Sequence, residues 1–262
     1  MNHTVNRRNV LGRGLIGASA LTLSACKILD GANTRDSALR HTLEGVGKLS
    51  YRAQRLIGGG HTLAPEYTQA DIRQSQHPNG VTNPDSADYV TMASNGFADY
   101  SLTITGLVEK PMVISRDELK AMPAKTQITR HDCVEGWSCI AKWTGVPLGL
   151  VLDQAKPTLA ARYAVFHCFD SIEKGLSGEV KYYESIDLID AYHPQTILAY
   201  GMNDAPLPIA NGAPLRVRVE RQLGYKMAKY VHTVELVDSF ASIGDGRGSY
   251  WADRGYEWYA GI

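Results

Sequence analysis

His131, Asp132, Cys133 and Glu135 crowd into "TRHDCVEGWSC", Thr129 to Cys139, and a second thiol, Cys139, closes the stretch. Four chemistries suit such a cluster: a disulfide between Cys133 and Cys139, a thiolate nucleophile, a zinc site, and a thiolate ligand to some other metal. Zinc is poorly served, because no CxxC or HExxH accompanies the cluster and His131 and Cys133 stand two apart on an expected strand end. A cysteine nucleophile needs an orienting histidine, for which His167 is a weak candidate. With Cys26 set aside as part of a leader, three thiols remain, Cys133, Cys139 and Cys168. In an oxidising compartment an odd number leaves at least one of them unpaired.

The elements that must position these residues begin near Tyr100. "YSLTITGLV" alternates apolar and polar residues as a half-buried strand does. "SRDELKAM" carries a capping box, Ser115 with Glu118, for a short helix that Pro123 ends. "KTQITRHDC" reads as a strand that delivers Cys133 at its end, "GVPLGLVLDQA" as a helix with Pro147 in its first turn, and "RYAVFHCF" as a buried strand ending near His167 and Cys168. "SIDLIDAY" suggests a further short helix; "TILAYGMN", "LRVRVE" and "KYVHTVELVD" suggest strands. Strands and short helices mingle without a regular βαβ period, so the expected class is α+β with a mixed sheet. No GxGxxG or P-loop opens a helix after a strand.

Upstream, "NRRNVLGRGLIGASALTLSAC" pairs Arg7 and Arg8 with an apolar run from about Leu15 to Ala25, too short to span a bilayer. The twin arginines mark export of folded proteins. "LSAC", Leu23 to Cys26, has the form of a lipobox; cleavage near Ala25 with Cys26 incidental is the alternative. Residues 1–26 are thus expected to be a signal peptide, residues 27–90 a polar extension wrapping the core, and residues 91–262 the catalytic domain. The mature protein is expected outside the cytoplasm, in the periplasm, with no other spanning segment. Export in the folded state itself points to a cofactor acquired beforehand. With 262 residues, 44% of them hydrophobic, the chain can bury one sizeable core. Lys+Arg and Asp+Glu both number 27, which gives no electrostatic footprint for nucleic acid.

"TRHDCVEGWSCIAKWTGVPLGLVL" together with "LPIANGAPLRVRVERQLGYKMAKYVHTVEL" resembles the sulfite oxidase superfamily of molybdopterin oxidoreductases. The likeness is strongest to the branch of bacterial periplasmic methionine-sulfoxide reductase catalytic subunits, and it spans about Asn95 to Val237. The resemblance implies the sulfite-oxidase-type molybdopterin-binding fold and a Mo-molybdopterin cofactor with Cys133 as the protein ligand to molybdenum. It implies cofactor contacts from Asn95, Ala98, Asp99, Cys168, Asn211, Arg216, Met227, Ala228 and Lys229, with Arg216 and Lys229 suited to the pterin phosphate. Ala98, Met227 and Ala228 have only backbone groups to offer. Cys168 stands where relatives tend to carry a threonine, which weakens that contact, and Asn211 stands where some carry histidine. Apart from the resemblance, Arg216, Arg218, Glu220 and Arg221 would read as the solvated face of a strand.

Glu135 matches a glutamate of the methionine-sulfoxide reductase branch, whereas sulfite-oxidising relatives surround the metal with arginines. A carboxylate there repels a sulfite dianion and delivers a proton to a departing oxygen. An ion pair of Glu135 with Arg130 or Lys142 is the bland alternative, and Trp137 and Trp143 are either pocket walls or ordinary core. The activity implied is reduction of a sulfoxide, small or protein-bound, by oxygen-atom transfer. A membrane haem protein or periplasmic cytochrome is the expected electron partner, because the chain has no CxxCH motif; a monomer is expected. The rivals are a sulfite dehydrogenase on the same fold and a non-catalytic envelope lipoprotein.

Overall fold

The structure is a computed structural model and describes residues 38–58, 61–73, 76–175 and 178–262. The leader, residues 1–26, lies outside the described residues. Contacts divide the chain into two units, residues 1–52 and 53–262. Of the first, the described part is the opening of helix α1 (Ala38–Gly58), which continues into the second. Gly45 and Gly47 inside α1 lower its helix propensity, which is why the polar reading of residues 27–90 contained no helix there. Among the described residues no helix is long and apolar enough to cross a membrane.

The second unit is built on two sheets. After α2 (Ala87–Ser94) come β1 (Ser101–Gly106), β2 (Met112–Ser115) and α3 (Arg116–Ala121). The capping box of α3 is formed as expected, Ser115 accepting from the Glu118 N–H while Glu118 accepts from the Ser115 N–H. Then follow β3 (Lys125–Asp132), β4 (Ser138–Pro147), α4 (Leu148–Ala155), β5 (Tyr163–Gly175), β6 (Gly178–Asp187), α5 (Leu188–Ala191) and β7 (Ile197–Met202). The chain closes with β8 (Ala205–Pro206), β9 (Arg216–Arg218), β10 (Val231–Val237) and α6 (Tyr250–Asp253). One sheet has the order β2-β1-β10-β5-β6, with β1 and β10 parallel and the other pairs antiparallel; the second runs β3-β4-β7-β8, with β9 on β7. This is the α+β, mixed-sheet class that the sequence predicts.

Three boundaries differ from the sequence expectation. Pro147 closes β4 and caps α4 from outside, because Gly145 and Val146 still pair with Ala199 and Leu198. β5 continues past Cys168 to Gly175 and turns back into β6, a hairpin whose polar tip hides its period. β4 itself went unrecognised, since Gly145 to Pro147, its last residues, read as the opening of a helix. At Gly145 a Cβ would stand 2.6 Å from the Ala199 Cα, so the two strands need a glycine there.

The described residues between 61 and 86 carry one 3-10 turn, Gln69–Asp71, and little other regular structure. They satisfy their backbone on β3, an edge strand that would otherwise present open N–H and C=O groups. The Tyr67 N–H donates to the Ile128 carbonyl at 2.8 Å, and Glu66 bridges to Thr129. The Gln76 side-chain amide donates to the Ile140 carbonyl at 2.7 Å, and the segment then arrives at the end of β3.

Candidate functional site

β3 and β4 form a hairpin whose connection is Cys133 to Trp137. The Cys133 N–H donates to the Trp137 carbonyl at 2.9 Å, and the Gly136 N–H donates to the Cys133 carbonyl at 3.0 Å. Gly136 supplies the positive φ, 87°, that this reversal requires. The turn therefore presents Cys133 and Glu135 together. Cys133 is 9% exposed, and burial, with the facing Glu135 carboxylate, pushes its thiol above the usual range. Glu135 Oε2 accepts from Trp137 Nε1 at 2.9 Å. Neither suggested ion pair of Glu135 forms: Arg130 pairs with Asp132 at 2.9 Å and Lys142 with Asp204 at 2.6 Å.

A cavity of about 140 Å³ opens at this turn, lined by Cys133, Glu135, Asp170, Gly224, Met227 and Lys229 and closed on one side by Asn79, Gly80 and Val81. Lys229 Nζ donates to the carbonyls of Asn79 (2.6 Å), Ala210 (3.0 Å) and Val81. Burial, then the neighbouring Arg216, pull its pKa down to about 7. Asp170 was not singled out in the sequence. It is 3% exposed, its Oδ1 has no hydrogen-bond partner, and burial raises its pKa to about 7. A charged residue inside the otherwise apolar strand "YAVFHCFD" was the signal available for it.

The solvated-face reading of β9 fails, because Arg216, Arg218 and Glu220 are all buried. Arg218 makes two bonds to Glu220, at 2.9 and 2.6 Å, and its Nη1 donates to His131 Nδ1 at 3.0 Å. A guanidinium has no acceptor, so His131 carries its proton on Nε2, where it has no partner. Arg216 lies behind the cavity wall. Its Nη1 and Nη2 donate to the carbonyls of Asn211 (2.9 Å) and Met227 (3.3 Å), and its Nε has no partner. Both guanidinium groups lie over the Trp143 ring, at 5.0 Å for Arg216 and 4.3 Å for Arg218, which makes Trp143 part of this packed layer.

The structure thus brings Asn211, Arg216, Met227, Ala228 and Lys229 into one buried group beside the cavity. Cys168, 1% exposed, is close enough to Lys229 to interact electrostatically but is not part of the cavity wall. Asn95, Ala98 and Asp99 form an exposed turn bonded to itself, Asn95 to Asp99 at 2.5 Å and the Ala98 N–H to Asn95 Oδ1 at 3.1 Å. They do not line the cavity. Cys133 and Cys139 are both free, so the disulfide is not formed, and among the described residues no three of His, Cys, Asp and Glu stand together as a metal site.

The family model for the oxidoreductase molybdopterin binding domain matches residues 89–242, more than half of the chain. The chain belongs to that molybdopterin-binding oxidoreductase family. A protein of Azospira oryzae named for protein-methionine-sulfoxide reductase subunit YedZ1 is 34% identical over 255 residues, 97% of this chain and 87% of that protein. The protein-methionine-sulfoxide reductase catalytic subunit MsrP of Xanthomonas campestris is 39% identical over 145 residues, 53% of this chain and 45% of its own length. Among solved structures, the sulfane dehydrogenase SoxCD of Paracoccus pantotrophus aligns with a TM-score of 0.48 and 22% identity over 58% of this chain and 45% of that one.

The donor set of this molybdopterin-binding domain suits its cofactor. A single thiol reaches the cavity, as a one-cysteine metal site requires. Burial and Arg218 pull the Arg216 pKa down to about 9, yet a guanidinium stays protonated; its unbalanced charge and free Nε call for an anion. The cavity is smaller than the ~300–1,000 Å³ usual for drug-sized ligands. Cys133 would hold the metal at the cavity mouth, and Arg216 and Lys229 would offset the anionic charge of the pterin.

Proposed function

We propose that the protein reduces a sulfoxide to a thioether, with methionine sulfoxide, free or in proteins, as the substrate class. The observation that carries this reading is the Glu135 carboxylate facing Cys133 in a cavity with no arginine among its lining residues. Arg130 and Arg218 are paired with Asp132 and Glu220, and Arg216 lies behind the wall, bonded to the Asn211 and Met227 carbonyls, where it suits the anionic cofactor. Such a mouth repels a dianion such as sulfite and admits a neutral sulfoxide, whose departing oxygen needs protons. The names of the relatives from Azospira oryzae and Xanthomonas campestris support the same substrate class.

When bound, the cofactor supplies a molybdenum ion able to change its oxidation state by two electrons. The chain's own residues do the rest. Cys133 holds that centre at the turn, the buried Arg216 and Lys229 offset anionic charge, and Glu135 passes a proton to the substrate oxygen. The balance is sulfoxide plus two electrons and two protons giving thioether and water. The electrons come from a membrane haem protein or periplasmic cytochrome. Export through Arg7 and Arg8 to the periplasm belongs to the same reading, with residues 91–262 as the catalytic part and Cys26 as a site of lipid attachment.

Steady-state assays decide between this and the sulfite-oxidising alternative. Molybdenum-loaded protein is expected to turn over methionine sulfoxide with a reduced dye and to leave sulfite and oxidised cytochrome unchanged. The opposite pattern would sink the proposal. Fractionation of an Arg7→Lys, Arg8→Lys variant tests the export route, with retention in the cytoplasm expected.

A further inference from the structure

Glu135 is exposed, has rotatable bonds of its own and makes no salt bridge among the described residues, so apart from its contact with the Cys133 thiol no charged partner holds it over the cavity. An unrestrained carboxylate of this kind spends most of its time away from any one proton-transfer geometry. The structure shows a restraint of a different sort. Trp137 Nε1 donates to Glu135 Oε2 at 2.9 Å, and the same residue's carbonyl accepts from the Cys133 N–H at 2.9 Å. One residue therefore grips both the acid and the metal ligand's backbone.

The indole is itself fixed. His77, arriving on the 76–86 segment, meets the Trp137 ring edge-on, with centroids 4.8 Å apart at 84°. His131, at the end of β3, packs near the ring at 5.5 Å and 31°. Gln76 anchors the segment carrying His77 to the Ile140 carbonyl of β4. The ring is thus held from both the segment and the strand, and its N–H has a set direction.

We propose that Trp137 is the positioning residue of the site: its indole N–H orients the Glu135 carboxylate toward the substrate oxygen that departs at the Cys133 end of the cavity. The inference rests on the proposed role of Glu135 in sulfoxide reduction. Its consequence is that the indole acts through Glu135 and has no separate effect on turnover. Trp137→Phe keeps the ring that His77 and His131 pack against and removes only the N–H.

A double-mutant cycle of Trp137→Phe and Glu135→Gln in the molybdenum-loaded protein tests this. Trp137→Phe is expected to lower kcat for methionine sulfoxide about tenfold, a fraction of the ~10²–10⁴ attributed to general acid catalysis. KM and molybdenum content are expected to stay within about twofold of the parent, and adding Trp137→Phe to Glu135→Gln to change kcat less than about twofold. An equal fall in both backgrounds, or loss of molybdenum, would show a merely structural indole and overturn the inference. An impaired Glu135→Gln with an unimpaired Trp137→Phe would remove this inference alone, whereas full turnover by Glu135→Gln would remove the acid role as well. A readout independent of turnover is the ¹⁵N–¹H resonance of the Trp137 indole in metal-free protein, identified by its absence in Trp137→Phe. It is expected to move on Glu135→Gln; a stationary resonance would mean that the hydrogen bond is not made in solution.

Discussion

Cys133 owes its place to five consecutive residues, and that locality made it legible. "CVEGW" contains the proposed ligand, the proposed acid, the glycine that lets the chain reverse and the tryptophan that closes the turn. Asp170 was illegible for the converse reason. Nothing near it in sequence explains it; its meaning appears only when β5 carries it to the cavity that Cys133 and Lys229 line from other elements. At this scale the sharpest expectation concerns the thiol. Cys133→Ser replaces a soft ligand by a hard hydroxyl of similar size, so the fold should persist with a melting temperature within a few degrees. Molybdenum should fall to background by elemental analysis, and turnover with it. Stoichiometric molybdenum in the serine variant would transfer the ligand role elsewhere.

Elements with a strong local code were read correctly: the capping box of α3, and β1, where the buried Leu102 and Ile104 alternate with the partly exposed Ser101, Thr103 and Thr105. β4 was lost because Gly145 and Pro147, which read as the opening of a helix, serve in it for close packing and for a strand end. The same close packing joins two elements at the site. Gly224, which opens the 3-10 turn Gly224–Lys226, lies so near the end of β3 that a Cβ would stand 2.5 Å from His131 Cε1 and 3.1 Å from the Asp132 carbonyl. Neither neighbour is free to yield, since His131 is fixed by Arg218 and Asp132 is the last residue of β3. Gly224→Ala should therefore cost about 1–3 kcal/mol, the range for overpacking, read as a lower denaturant midpoint. It should also push the Met227 and Lys229 wall away from Cys133 and reduce molybdenum occupancy. Unchanged stability would mean that the two elements part more easily than their contact suggests.

Over the whole molecule the 27 acidic and 27 basic residues cancel, so surface charge gives little drive to pH dependence and the buried groups matter more. Asp170 is the informative one. It faces Lys229, with Lys181 acting at longer range, and lies close enough to affect Cys168, Tyr89 and Tyr182. Its folded pKa, about 7, is above the roughly 3.9 of an unfolded aspartate. Between those values the folded protein holds a proton that the unfolded chain has lost, so this residue's contribution to stability falls as pH rises through the window. Lys229 has the opposite sign. Its folded pKa is about 7, against roughly 10.4 unfolded, so its contribution grows as pH rises above neutrality. Together they place the least favourable point of the pair near pH 7 in the metal-free protein. Asp170→Asn deletes the first arm and, by removing a carboxylate that raises the Lys229 pKa, shifts the second toward lower pH. The unfolding free energy of the variant minus that of the parent, from denaturant curves of metal-free protein, should rise from about pH 4 to about pH 7 and then level off. A difference that is flat across that range would mean that Asp170 ionises normally in the fold, and its burial in the cavity wall would lose its electrostatic consequence.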